Sequence, residues 1–167
     1  MPTTSIHHDF LHTKTLLYDV CGFEIANLTI EKESLAYGAL SFSLNNLNLK
    51  FRVAKTTPTK VGQFVVFWKR IANGTIQPFI TTDDIDAYVV STRKGNLFGQ
   101  FVFPKAVLIE KGIMSTSTKE GKRAIRVYPP WDVVTSKQAQ QTQQWQVKYF
   151  IQIPANEMEL KANTFYC

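Results

Sequence analysis

Lys50, Arg52, Lys55, Lys60, Lys69 and Arg70 stand close together in a span, Leu47 to Ile80, that holds no Asp or Glu. Uncompensated cations at this spacing suit a polyanion, because each can neutralise a phosphate oxygen and release bound counterions. The whole chain leans the same way, with 19 Lys+Arg against 13 Asp+Glu, a formal net charge of +6 and a pI near 9.3. The distribution says more than the sum. Before Asn45 the acids Asp9, Asp19, Glu24, Glu31 and Glu33 outnumber Lys14 and Lys32, and the basic excess lies after Leu47. A basic face with an acidic back is the footprint of nucleic acid or another phosphate ligand. Solubility alone is the plain alternative.

Other constellations are weaker. His8-Asp9-Phe10-Leu11-His12 sets two histidines one helical turn apart with an acid between, a spacing that can hold zinc with the acid as base. No third ligand is evident, so a solvated helix face is expected and no metal site is assigned. Cys21 and Cys167 are far apart and read as free thiols. Lys60-Val61-Gly62 lacks the glycine spacing of a phosphate loop, there is no GxSxG elbow, and the histidines lie far in sequence from either thiol. Serine or cysteine hydrolysis is therefore not expected.

The elements that must carry the basic residues follow from periodicity. Ser5 to Tyr18 reads as an amphipathic helix and Phe23 to Ile30 as a strand. Ala36 to Leu44 and Leu47 to Lys55 alternate apolar with polar residues on either side of Asn45-Asn46, a turn pair that tolerates positive φ, and so form a hairpin. Thr57-Pro58 then reads as the cap and first residue of a helix running to Ile71, with Val61, Phe64, Val65, Trp68 and Ile71 on its core face and Lys60, Gln63 and Arg70 opposite. Asn73-Gly74 turns the chain, Thr75 to Ile80 is a short extended piece, and Ala87 to Val90 and Leu97 to Phe103 are strands joined through Arg93 to Asn96. Pro104 opens a short helix closed by Gly112. Ser115 to Lys122 is polar and is expected to be a mobile loop. Ile125 and Val127 alternate with an outward Arg126. The stiff Tyr128-Pro129-Pro130-Trp131 run suits either base stacking or core packing. Ser136 caps a last helix whose face of Gln138, Gln141 and Gln144 is expected to be solvated surface. Lys148 to Ile153 is a closing strand, and the tail Glu157-Met158-Glu159 is expected to be peripheral.

Three stretches together carry a family resemblance. FRVAKTTPTKVGQFVVFWKR (51–70), GQFVFPKAVLIEKGI (99–113) and GKRAIRVYPPWDVVTSKQAQQTQQWQ (121–146) resemble the MepB proteins, a family named for a gene beside a bacterial multidrug efflux pump. The resemblance spans roughly Tyr37 to Ile151. It implies a cytoplasmic α+β protein related in fold to the restriction-endonuclease-like nucleases, with nucleic acid as its suspected partner. Such nucleases use an acid on one strand and an (Asp/Glu)-x-Lys triplet on the next to grip a divalent metal. Here the corresponding triplet is Val53-Ala54-Lys55: the lysine is present and the acid is not.

These readings combine into one expectation. The 167 residues and 19.0 kDa fit a single domain, 1–167, of α+β class: a mixed, mainly antiparallel sheet flanked by helices, restriction-endonuclease-like. It binds DNA or RNA, with weak sequence preference, through Arg52, Lys55, Lys60, Lys69, Arg70, Arg123, Arg126 and Lys137, with Tyr128 and Trp131 as stacking groups. No cofactor is required. The alternative is a magnesium-dependent nuclease using Lys55 and Gln63 with a carboxylate displaced to Glu31, Glu33 or one of Asp83, Asp84 and Asp86. A third possibility is a small-molecule accessory protein for efflux. No apolar run approaches the roughly 20 residues of a bilayer-spanning helix, and no signal pattern opens the chain, so the expected location is the cytoplasm.

Overall fold

The computed structural model describes residues 5–167. Its framework is a six-stranded sheet in the order β1-β2-β3-β8-β9-β11. The first three strands are Ile25–Ile30, Leu40–Leu44 and Leu47–Val53, and the last three are Ala87–Lys94, Leu97–Pro104 and Phe150–Gln152. All neighbours are antiparallel except β3 and β8. The α+β class with a mainly antiparallel mixed sheet is therefore as the sequence implied.

Alternation along the strands splits the core in two. On β8, Val89 faces one cluster while Tyr88 and Val90 face the other. The first face is covered by α1 (His8–Thr13), which runs on into one π-helical turn (Lys14–Tyr18), and by α4 (Met158–Tyr166). Here Phe10, Leu17, Tyr18 and Tyr166 pack on Phe42, Leu44 and Phe51. Over the second face lie α2 (Lys105–Glu110), α3 (Lys137–Gln146) and a three-stranded sheet ordered β10-β5-β4, made of Ala124–Val127, Gln63–Val66 and Lys55–Thr56. A two-stranded ribbon, β6 (Trp68–Arg70) with β7 (Ile76–Pro78), completes it.

Local signals explain the junctions. Asn45 and Asn46 both take positive φ, 51° and 67°, in the β2–β3 turn. Gly112 closes the α2 region at φ 69°, and the Ser136 hydroxyl caps α3 by accepting from the Ala139 N–H at 3.1 Å. β1 is irregular: Asn27 has φ 56°, and the register with β2 slips between Ala26 and Thr29.

One expectation about the fold is corrected here. Thr57 to Ile71 is not a helix but a loop followed by β5 and β6. Gly62 sits at φ 85°, outside helical space, and the Phe64-Val65-Val66-Phe67 run of aromatic and β-branched residues suits a pleated surface. Past the exposed Glu157 and Glu159 the chain end packs into the first core. Ala162 and Tyr166 of α4 are 0% and 1% exposed, and the Tyr166 hydroxyl lies 2.8 Å from that of Tyr18 and accepts from Gln100 Nε2 at 2.7 Å.

Candidate functional site

The cations singled out in sequence separate into two groups. Four are matched by carboxylates. Arg52 is wholly buried and donates to Glu31 Oε2 at 2.8 Å and to the Phe51 carbonyl at 2.9 Å; it leaves the surface because even positions of β3 point into the second face. Lys69 meets Asp83 at 2.6 Å, Arg70 meets Glu33 at 3.3 Å, and Arg123 meets Glu120 at 2.9 Å. Buried Arg52 cannot reach a phosphate, which corrects its assignment as a contact, while Lys69, Arg70 and Arg123 keep their place near the surface in ion pairs with carboxylates.

Among the described residues Lys55, Lys60, Arg126 and Lys137 have no carboxylate partner. Lys55, Lys60 and Lys137 are exposed and Arg126 half-buried. Two of them, Lys55 and Arg126, lie on the small sheet. Lys55 pairs with Phe64 across β4–β5, and Phe64 pairs with Arg126 across β5–β10. Residues directly opposite in a ladder project from the same face, so Lys55, Phe64 and Arg126 form one row, with its ends about 10 Å apart from the spacing of strands. Phe64 is half-buried, and its ring lies 6.4 Å from that of Tyr37. The Lys55 ammonium stands 4.6 Å from the Tyr37 centroid. Arg126 donates to Thr57 Oγ1 at 2.7 Å and reaches the Val61 and Gly62 carbonyls at 3.4 Å. These neutral acceptors fix the guanidinium without cancelling its charge, and they tie it to the loop that carries Lys60.

The supporting elements are built from the later motif. Gln146, fully buried, accepts the Tyr128 N–H at 2.8 Å and donates to the Arg126 carbonyl at 3.0 Å, acting as a strand partner for the open edge of β10. Gln143 donates to the carbonyls of Pro129 and Asp132. Gln138, Gln141 and Gln144 are exposed as expected, and it is Gln143 and Gln146 that hold the Tyr128–Asp132 turn in place. Within that turn Trp131 packs edge-on against Phe150 at 5.4 Å, which makes it core rather than a free stacking group. Tyr128 is half-buried, and its ring closes over Gly62, where an added Cβ would lie 2.6 Å from it. Gln63 is buried in β5 and donates to the Arg93 carbonyl at 2.9 Å, so it is structural rather than catalytic. Phe64, Tyr37 and Gln146 were hidden in sequence as functional residues: Phe64 was absorbed by a false helix face, Tyr37 carries no local charge, and Gln146, although it ends the third motif, gives no local sign that its side chain pairs with β10.

Glu31, the first of the carboxylates considered for a displaced magnesium site, does not fit one: both its oxygens are taken, Oε1 by Lys50 at 2.8 Å and by Ser41, Oε2 by Arg52. Burial pushes its pKa up, but Arg52 and the hydrogen bonds from Lys50 and Ser41 outweigh that and hold it below the ordinary value of 4.5. A carboxylate already neutralised by two cations is a poor ligand for a hard divalent ion. His7, His8 and Asp9 place three donor atoms within 4.8 Å of one another. Yet Asp9 Oδ1 accepts from Arg93 Nε and Nη2, and His7 Nδ1 accepts the Asp9 N–H as a helix cap; a cation there would displace Arg93.

A MepB-like family model matches residues 31–152. The chain belongs to the MepB-like family. The crystal structure of MepB is 39% identical with a TM-score of 0.78, covering 86% of this chain and 98% of that one. A bacterial homing endonuclease, I-Ssp6803I, overlaps at 16% identity and a TM-score of 0.44 over 81% of each chain, a partial likeness that assigns no activity. No curated protein matches. The three MepB-like stretches supply β5 and β10, the α2 region and the Gln143/Gln146 supports, so the row and its scaffold lie within the matched region. Among the described residues no helix is long and apolar enough to cross a membrane.

Proposed function

We propose that this MepB-like chain binds nucleic acid across the small sheet, with single strands favoured over duplex. The carrying observation is the Lys55–Phe64–Arg126 row: two uncompensated cations flanking an aromatic ring on one sheet face. Backbone phosphates fit the cations and a base fits the ring, a combination that tolerates any sequence because every base has a π-face. Tyr37, whose ring adjoins Phe64 and Lys55, extends the same face. A cytoplasmic location suits such a partner. Metal-dependent cleavage is not supported by the engaged state of Glu31. The test is fluorescence anisotropy of a labelled single-stranded oligonucleotide against the wild type, Lys55→Ala, Phe64→Ala and Arg126→Ala. Each change should weaken binding, Phe64→Ala by about 1–3 kcal/mol. Unaltered affinity in both Lys55→Ala and Phe64→Ala overturns the reading.

A further inference from the structure

Beside the open edge of β10 lies a cavity of about 330 Å³, lined among others by Lys111, Lys122, Arg126, Gln138, Thr142 and Trp145. None of its lining residues is acidic, and neither Lys111 nor Lys122 has a carboxylate partner among the described residues. The two lysines therefore line one concavity without internal compensation, with Arg126 also on its wall, which costs electrostatic energy unless an anion relieves it.

The cations are positioned rather than loose. The Lys111 ammonium sits 5.3 Å from the Trp145 ring centroid. Lys122 is tied back by its N–H to the Ile113 carbonyl at 2.9 Å, and the preceding turn is closed by Thr116 N–H to the Lys119 carbonyl at 2.8 Å and Gly121 N–H to Ser115 Oγ at 2.7 Å. Gly121 is required there, since a Cβ would lie 2.2 Å from the Ile113 carbonyl oxygen. The stretch expected to be a mobile loop is thus a closed turn that delivers Lys122 to the cavity. The start of α3 forms another wall. Its first turn holds Lys137 and no acid, so the positive end of the helix dipole adds to the field instead of being offset by a carboxylate.

We propose that this cavity is a phosphate-monoester site, taking the dianionic terminal phosphate of a nucleotide or of a nucleic-acid strand end. A volume near 330 Å³ matches the lower range of small-ligand sites, with room for a phosphate and the sugar behind it. The Gln138 and Thr142 side chains supply polar contacts for that sugar, and a dianion is a better match for the two lysines than the single charge of an internal phosphodiester. Arg126 belongs both to this cavity and to the Lys55–Phe64–Arg126 row, so a strand lying on the row has its end within reach of the cavity. The nucleotide class rests on the proposed function, whereas the anion site rests on the cations and the concavity alone.

The experiment compares three probes by anisotropy and calorimetry: a 5′-phosphorylated oligonucleotide, the same oligonucleotide with a 5′-hydroxyl, and a nucleoside 5′-monophosphate. The phosphorylated strand should bind about tenfold or more tightly than the hydroxyl strand. In the Lys111→Ala/Lys122→Ala double variant that ratio should fall to about one, and Lys122→Gln alone should lower it. Both lysines are exposed, and an unchanged melting temperature shows that the fold is intact. A monophosphate that binds as tightly as the phosphorylated strand, sensitive to Lys122→Gln, supports the cavity and assigns it a free nucleotide. Equal affinity for phosphorylated and hydroxyl strands, with no response of the monophosphate to either variant, overturns it. In that case binding of the hydroxyl strand that Phe64→Ala weakens leaves the proposed function standing. Monophosphate binding without strand binding removes the row and keeps the cavity.

Discussion

Arg52 Nη2 and Glu31 Oε2 meet at 2.8 Å, with the arginine side chain 0% and the glutamate 17% exposed. Removing one partner leaves the other charge buried and uncompensated, a cost of roughly 3–5 kcal/mol. Glu31→Ala should lower the unfolding free energy by about that amount in chemical denaturation. The pH dependence follows from the same pair. Glu31 has its folded-state pKa held below the ordinary 4.5, so it contributes stability above that value. The contribution should be lost as pH falls from near 4.5 through the lower folded value, and Glu31→Ala should show a flatter stability profile across that window.

Gln146→Ala should destabilise β10 by orphaning the Tyr128 N–H and the Arg126 carbonyl, at about 1–3 kcal/mol for each group left unpaired. Gln146→Glu should rescue only half of this. A carboxylate can accept from Tyr128 but has no N–H to donate to Arg126. Amide hydrogen exchange at Tyr128 separates the two variants: fast in Gln146→Ala, slower in Gln146→Glu.

Gly62→Ala and Gly74→Ala both place a Cβ at positive φ, 85° and 91°. Only Gly62 meets a neighbour, the Tyr128 ring at 2.6 Å, while Gly74 faces open space. Backbone strain of order 1 kcal/mol should appear in both. Gly62→Ala should show an additional loss, read as the difference in melting temperature between the two variants.

The salt dependence of strand binding should separate the two groups of cations. Lys55→Ala and Arg126→Ala should each reduce the slope of log K against log salt by about 0.7, the value for one single-strand phosphate contact. Lys69→Ala should leave the slope unchanged, because Asp83 already neutralises that ammonium at 2.6 Å. A slope lowered equally by all three would contradict the division.

Tyr166→Phe should cost about 1–3 kcal/mol, since it removes the hydroxyl shared by Tyr18 and Gln100 inside the first core. Thermal denaturation measures it, and a melting temperature equal to wild type would show that the hydroxyl pair contributes nothing.

Much of the framework was legible because local chemistry and global need agree there. Asn45-Asn46, Gly112 and Ser136 each announce their turn or cap, and the strand alternation of Leu40 to Leu44 gives the core face directly. Thr57 to Ile71 was illegible for a physical reason. Val61, Phe64, Val65 and Trp68 recur at helical spacing, yet Val61 is 50% exposed and the true constraint is Gly62 pressed against Tyr128, a contact between segments distant in sequence. The cations were visible as a run, but their pairing was not. Glu31 reaches Arg52 from across the sheet and Asp83 reaches Lys69 through a turn, so charge counting overstated the basic surface. The row depends on registers among β4, β5 and β10, and no local pattern specifies register between such short strands.

The slip in β1 has a further consequence for the border of the large sheet. Asn27 and Leu28 stand where β2 supplies one partner, so the outer rim lacks an unbroken ladder of amide and carbonyl groups. An incoming strand finds no continuous template there, which protects the longer rim against edge-to-edge aggregation without a covering helix.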